Sequence, residues 1–100
     1  MAGKDKAAQT AGADVMEVEQ DGIAVQVDMT YLRSWPGIRQ AARMQSPDRD
    51  EAERLVAMVA YYERAIPNID DVSDALGESA PANEVLGFLA RAVRSATPKN

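Results

Sequence analysis

One hundred residues carry a net charge of −5 and 46% apolar side chains, with neither histidine nor cysteine. That composition excludes imidazole as a general base, thiolate as a nucleophile, and both soft metal ligands. The excess of acid also argues against nonspecific binding to nucleic acid or to an anionic membrane.

No pattern of carboxylates, hydroxyls or amines marks a catalytic site, so the expectation is a non-enzymatic binding or assembly protein without cofactor or metal. Alanine inflates the apolar fraction, so the core should be small, and self-association would bury more surface. Absence of cysteine fits a reducing compartment. No apolar run resembles a signal peptide or approaches the ~20 residues of a membrane span. A soluble cytoplasmic protein is expected.

In chain order, residues 1–14 lack any large apolar side chain after Met1 and read as a disordered tail. A single domain should occupy residues 15–97, with residues 98–100 frayed. From Val15 the hydrophobicity alternates: Met16 and Val18 against Glu17 and Glu19, then Ile23, Val25 and Val27 against Ala24, Gln26 and Asp28. Asp21-Gly22 between the two runs predicts a β-hairpin with a two-residue turn.

Beyond Val27 the period becomes helical. Asp28 suits the cap position of a short helix through Tyr31 and Leu32. Pro36 forces a break at Ser34-Trp35, with a new helix to about Met44 that has Ile38, Ala41, Ala42 and Met44 on one side. Ser46-Pro47-Asp48 looks like the start of a long helix ending before Pro67. Its apolar stripe reads Ala52, Leu55, Val59, Tyr62 and Ile66, flanked by Met58 and Val56. Arg49–Glu53 and Asp50–Arg54 are spaced as ion pairs along it. Asn68 should cap a short helix with Ile69, Val72 and Leu76 inward, ending at Gly77. Asn83 should cap a last helix whose apolar side is Val85, Phe88, Leu89, Ala92, Val93 and Ala96. The fold class is therefore mainly α, four to five helices with a short N-terminal hairpin.

Asp48, Asp50 and Glu53 suggest a calcium loop, but the glycine at position six and the glutamate at position twelve are missing, so capping is the better reading. Asp70, Asp71 and Asp74 read as a solvated helix face. Trp35, beside Pro36, reads as a core plug at the joint between two helices. Tyr61 points away from the stripe, so a loop half-covers it or it belongs to an interface. Charge is segregated: residues 1–28 carry −4, residues 29–47 +3 (Arg33, Arg39, Arg43), residues 48–78 −6 and residues 79–100 +2. Such blocks are either surface decoration or a means of orienting a head-to-tail oligomer.

The chain bears two resemblances to known families. Trp35-Pro36-Gly37 is similar to the turn of the WXG100 family of secreted helical hairpins. Here, however, a strand pattern precedes the turn, prolines at 47, 67 and 81 interrupt the helical stretch beyond it, and neither Tyr61 nor Tyr62 has an acid four residues on. From Val25 to Asn100 the order of elements resembles the small tail assembly chaperones of long-tailed bacteriophages. The matching run is the strand Val25-Gln26-Val27-Asp28, Trp35, the Leu55–Ile66 helix with Tyr61-Tyr62-Glu63, the helix Ile69–Leu76 and the closing helix Val85–Val93.

The second resemblance implies a protein of the host bacterial cytoplasm, outside the mature virion, that binds the phage tape measure protein. It also implies contact with the tail tube protein and homo-oligomerisation. Trp35, Tyr61, Arg39 and Arg43 are then the candidate partner-binding residues. A different class, an acidic regulator that mimics DNA or sequesters a basic partner, also fits the net charge.

Overall fold

The computed structural model describes residues 14–97. They form a hairpin of β1 (Val15–Gln20) and β2 (Ile23–Asp28), followed by five helices. These are α1 (Met29–Arg33), α2 (Trp35–Gln45), α3 (Glu51–Ala65), α4 (Ile69–Leu76) and α5 (Ala82–Ala96). The mainly helical fold with an N-terminal hairpin is as the sequence leads one to expect; residues 1–13 and 98–100 of the expected tail and frayed end lie outside the described residues.

The hairpin is explained by its turn chemistry. Asp21 and Gly22 both take positive φ, +54° and +82°, as a tight turn matching the strand twist requires. The register pairs Gln20 with Ile23, Val18 with Val25 and Met16 with Val27, which puts these six side chains on one face. That face lies on the helices, with Val25 and Val27 fully buried, while Glu17, Glu19, Gln26 and Asp28 line the other. Asp14, the last residue of the expected tail, joins the start of β1 to α1. Its carbonyl accepts from the Met29 N–H (2.7 Å), its own N–H donates to Thr30 Oγ1 (2.8 Å), and its carboxylate pairs with Arg33 at 3.3 Å.

The free edge of β2 is met by one side chain. Asn68 Oδ1 accepts from the Gln26 N–H (2.9 Å), and Asn68 Nδ2 donates to the Ala24 carbonyl (3.1 Å). The carboxamide thus supplies the donor and acceptor that a third strand would. This overturns the expectation that the Asn68 side chain caps α4: it makes no cap hydrogen bond there, because both its polar atoms are bonded to the strand. α4 ends at Gly77, with φ +98°, and buries Val72.

The long helix starts later than expected. Ser46 closes α2, and α3 begins at Glu51. Asp50 and Glu53 form a reciprocal box: the Glu53 N–H donates to Asp50 Oδ1 (2.8 Å) and the Asp50 N–H to Glu53 Oε1 (3.2 Å). Neither expected ion pair, Arg49–Glu53 or Asp50–Arg54, forms within 4 Å among the described residues; Arg54 donates instead to the Ser46 and Arg49 carbonyls. Pro81, not Asn83, occupies the cap position of α5, and no side chain caps it.

The core joins Val25, Val27, Met29, Tyr31, Ile66, Val72, Phe88, Leu89, Ala92 and Ala96 to one face of α3. That face is Ala57, Tyr61, Tyr62 and Ala65, which differs from the expected stripe. Leu55, Val56 and Val59 are exposed instead. The helix is rotated by about 100°, the turn of one residue, from the orientation the stripe suggests. Two adjacent tyrosines bury more surface than leucine and valine can, and alanines at 57 and 65 let neighbouring backbones approach.

Candidate protein-interaction surface

The elbow between α1 and α2 sets out the first half of this surface. Ser34 serves both helices: its Oγ donates to the Tyr31 carbonyl (2.6 Å) and accepts from the Gly37 N–H (3.1 Å). Gly37 is buried against α1, where a Cβ would overlap the Tyr31 carbonyl. Pro36 sits in the first turn of α2, where a missing N–H leaves no hydrogen bond unmade. Trp-Pro-Gly is therefore accounted for by a close helix crossing.

The elbow turns Trp35 outward. It is 70% exposed, so the expected core plug is corrected to a surface side chain. Gly37 fills the joint, and no room is left there for an indole. Ile38, also expected inward, is exposed, as are Arg39 and Ala42. The inner side of α2 is carried by Ala41, Met44 and Gln40, whose Nε2 donates to the Ala57 carbonyl of α3 at 3.1 Å. Arg43 is half-buried and donates to Gln40 Oε1 (3.4 Å). It lines a hollow of about 410 Å³ between α2 and α3, next to Val56.

Tyr61 is the reverse case. It is only 7% exposed, so it cannot belong to a free surface of the monomer. Its ring centroid lies 5.9 Å from Tyr31 and 5.1 Å from Tyr62, the latter edge-to-face. Arg64 stacks 4.7 Å from the Tyr31 ring centre. Burial raises the pKa of the Tyr61 hydroxyl above 10, and the neighbouring Tyr62 and Tyr31 add to the shift. Burial also raises that of Tyr62, against an opposing pull from Arg94.

The second half of the surface is a groove between α3 and α5, closed at one end by α4. Tyr62 and Leu89 form its floor, with Leu55 and Val59 on one wall and Val85 and Leu86 on the other, around a cavity of about 360 Å³. A second hollow of about 390 Å³ shares Leu55 and Leu86 and extends it toward the start of α3. Glu63 and Asp70 stand at the first hollow and Glu51 at the second. Arg54 also reaches the second, but its guanidinium is held by the Ser46 and Arg49 carbonyls.

Among the four candidate partner-binding residues, then, Trp35 and Arg39 share an exposed helix face, Arg43 sits in a crevice behind it, and Tyr61 is core. Reading the sequence missed the α3–α5 groove. Its signal was the surplus of apolar side chains on α3, too many for one face of a helix. Among the described residues no group of three acids is placed to hold a metal ion, and no helix is long and apolar enough to cross a membrane. No protein-family model, curated protein or solved structure matches this chain.

Proposed function

We propose that this chain acts by reversible protein binding, as a tail assembly chaperone that holds a phage tape measure protein during assembly. The observation that carries the binding reading is the exposed apolar surface: Trp35, Ile38, Leu55, Val56 and Val59 all face solvent in a domain with few large apolar residues. A groove with apolar walls and an acidic rim suits an amphipathic helix, the repeating element of a long helical client. The narrower assignment draws on the order of strand, Trp35 and helices from Val25 onward that resembles these chaperones. On this reading the protein works in the host cytoplasm, stays out of the mature virion, and also meets the tail tube protein.

The test begins with the DNA around the gene. A very long, helix-rich downstream reading frame is expected, whose product stays in solution on dilution from denaturant when this chain is present. Val59→Glu, placed in the groove wall, should abolish that protection. A neighbouring nuclease or repressor, with no such frame, would point to the second reading. That reading, an acidic protein sequestering a basic partner, is favoured by the exposed carboxylates of Asp70, Asp71 and Asp74 along α4.

A further inference from the structure

We propose that the outer edge of β1 takes an extended segment of a partner protein as a third strand, one in which basic residues alternate with apolar ones. The two edges of the hairpin differ. Gln20 and Ile23 close a two-residue turn as a hydrogen-bonded pair, so Val18–Val25 and Met16–Val27 exchange bonds as well. The N–H and C=O groups of Ala24 and Gln26 therefore point away from β1, and Asn68 takes one of each. Those of Glu17 and Glu19 point away from β2, and among the described residues no backbone group meets them. Nor is this edge guarded by proline, lysine or a bulge, the usual means of keeping a strand unpaired.

The side chains decide the occupant. A residue hydrogen-bonded opposite Glu17 or Glu19 lies beside that carboxylate on the outer face of the hairpin. Residues 15–28 hold Glu17, Glu19, Asp21 and Asp28 and no lysine or arginine, so a basic side chain suits both positions. The residue between them falls on the helix-facing side, opposite Val18 and next to Met16. Met16 is 41% exposed although it is on that side, which leaves apolar surface for such a residue to cover. Arg91 and Arg94 of α5 border a hollow beside Gln20, which disfavours a basic residue on the helix-facing side and so fixes the register of the alternation. A second copy of the chain is a poor occupant, because pairing two β1 edges antiparallel sets Glu17 and Glu19 against their counterparts. No β1 residue lines the α3–α5 groove, so this site stands or falls separately from the chaperone reading.

The experiment is titration of the full chain with a synthetic peptide in which lysine alternates with valine, read by fluorescence anisotropy of the labelled peptide and by amide hydrogen exchange of the chain. One control peptide has the same residues grouped into a lysine block and a valine block; another has glutamate in place of lysine. The alternating lysine peptide should bind about tenfold more tightly than either control. It should also slow exchange at the Glu17 and Glu19 amides by about tenfold or more, leaving that of Val18, already bonded to Val25, unchanged. Combining Glu17→Lys with Glu19→Lys should turn the preference toward the glutamate peptide at an unchanged melting temperature. If that variant proves unfolded, amide exchange in the parent chain decides. Equal binding of the grouped and alternating lysine peptides would overturn the proposal, since charge alone would then account for it. Exchange at Glu17 and Glu19 that the peptide does not slow would overturn it as well. So would amides already protected in the chain alone, because the edge would then be filled by a second copy or by residues outside 14–97.

Discussion

Two clusters of large side chains lie on adjacent stretches of this chain and meet opposite fates. Tyr31, Tyr61 and Tyr62 form a stacked group inside, whereas Trp35, Ile38, Leu55, Val56 and Val59 lie outside. Hydropathy alone would sort them the other way, since isoleucine, leucine and valine are more often buried than tyrosine. What decides is backbone approach. Gly37 against Tyr31 and Ala57 against Gln40 bring α1, α2 and α3 together along one line, and the tyrosines are the side chains beside it. The apolar residues left over form the walls and faces proposed for a partner.

The comparison breaks most readily at the inner cluster. Tyr61→Ala should cost about 3–5 kcal/mol by denaturant unfolding, in the range of a buried aromatic truncated to alanine. Trp35→Ala should cost less than about 0.5 kcal/mol, as an exposed side chain. Equal losses would mean that the two clusters do not differ. Next in size are the two close approaches. Gly37→Ala forces α1 and α2 apart, at about 1–3 kcal/mol. Asn68→Ala leaves the Gln26 N–H and the Ala24 carbonyl without their partner, at about 1–3 kcal/mol. Asn68→Asp should be no better, because it sets an acceptor against the Ala24 carbonyl. A melting temperature unmoved by either Asn68 variant would remove the bridge from the account of the fold.

A smaller effect separates the clusters by pH. Burial raises the pKa of Tyr61 and Tyr62 in the folded state, so the unfolded chain releases these protons first. Their contribution is complete below about pH 10 and declines as pH rises through and beyond it. The urea midpoint should thus stay flat near these residues' neutral range and fall above pH 10. Replacing both with phenylalanine should flatten that fall, and an unchanged slope would show that the hydroxyls titrate as if in water.

Much of the fold was legible in the sequence for identifiable reasons. Asp21-Gly22 between alternating runs has one good structural solution, and prolines 36 and 67 and Gly77 punctuate the helices where they stand. The faces of α5 were readable because Phe88, Leu89, Ala92 and Ala96 make one unambiguous stripe. α3 was not, because apolar residues occupy positions around most of its circumference. A helical wheel then allows several faces, and only tertiary contact chooses. The start of α3 was misread for a similar reason: Ser46-Pro47 and Asp50-Glu53 are both good start signals, and the reciprocal box uses the second. Trp35 is a different matter. A tryptophan at a proline elbow gives no local sign of which way it points, and the space that would hold it inside is taken by the Gly37 backbone crossing. The groove depends on how α3, α4 and α5 meet, which no local pattern encodes.

If the exposed apolar face is made for a partner, Trp35, the chain's single tryptophan, reports on it directly. Acrylamide quenching of its fluorescence should be compared in the chain alone and with the proposed helix-rich client added. Trp35 on an exposed binding face should be freely quenched in the chain alone and become protected when that client is bound. Protection in the chain alone would place the indole in the core, and free quenching in the presence of the client would leave the face without a binding role.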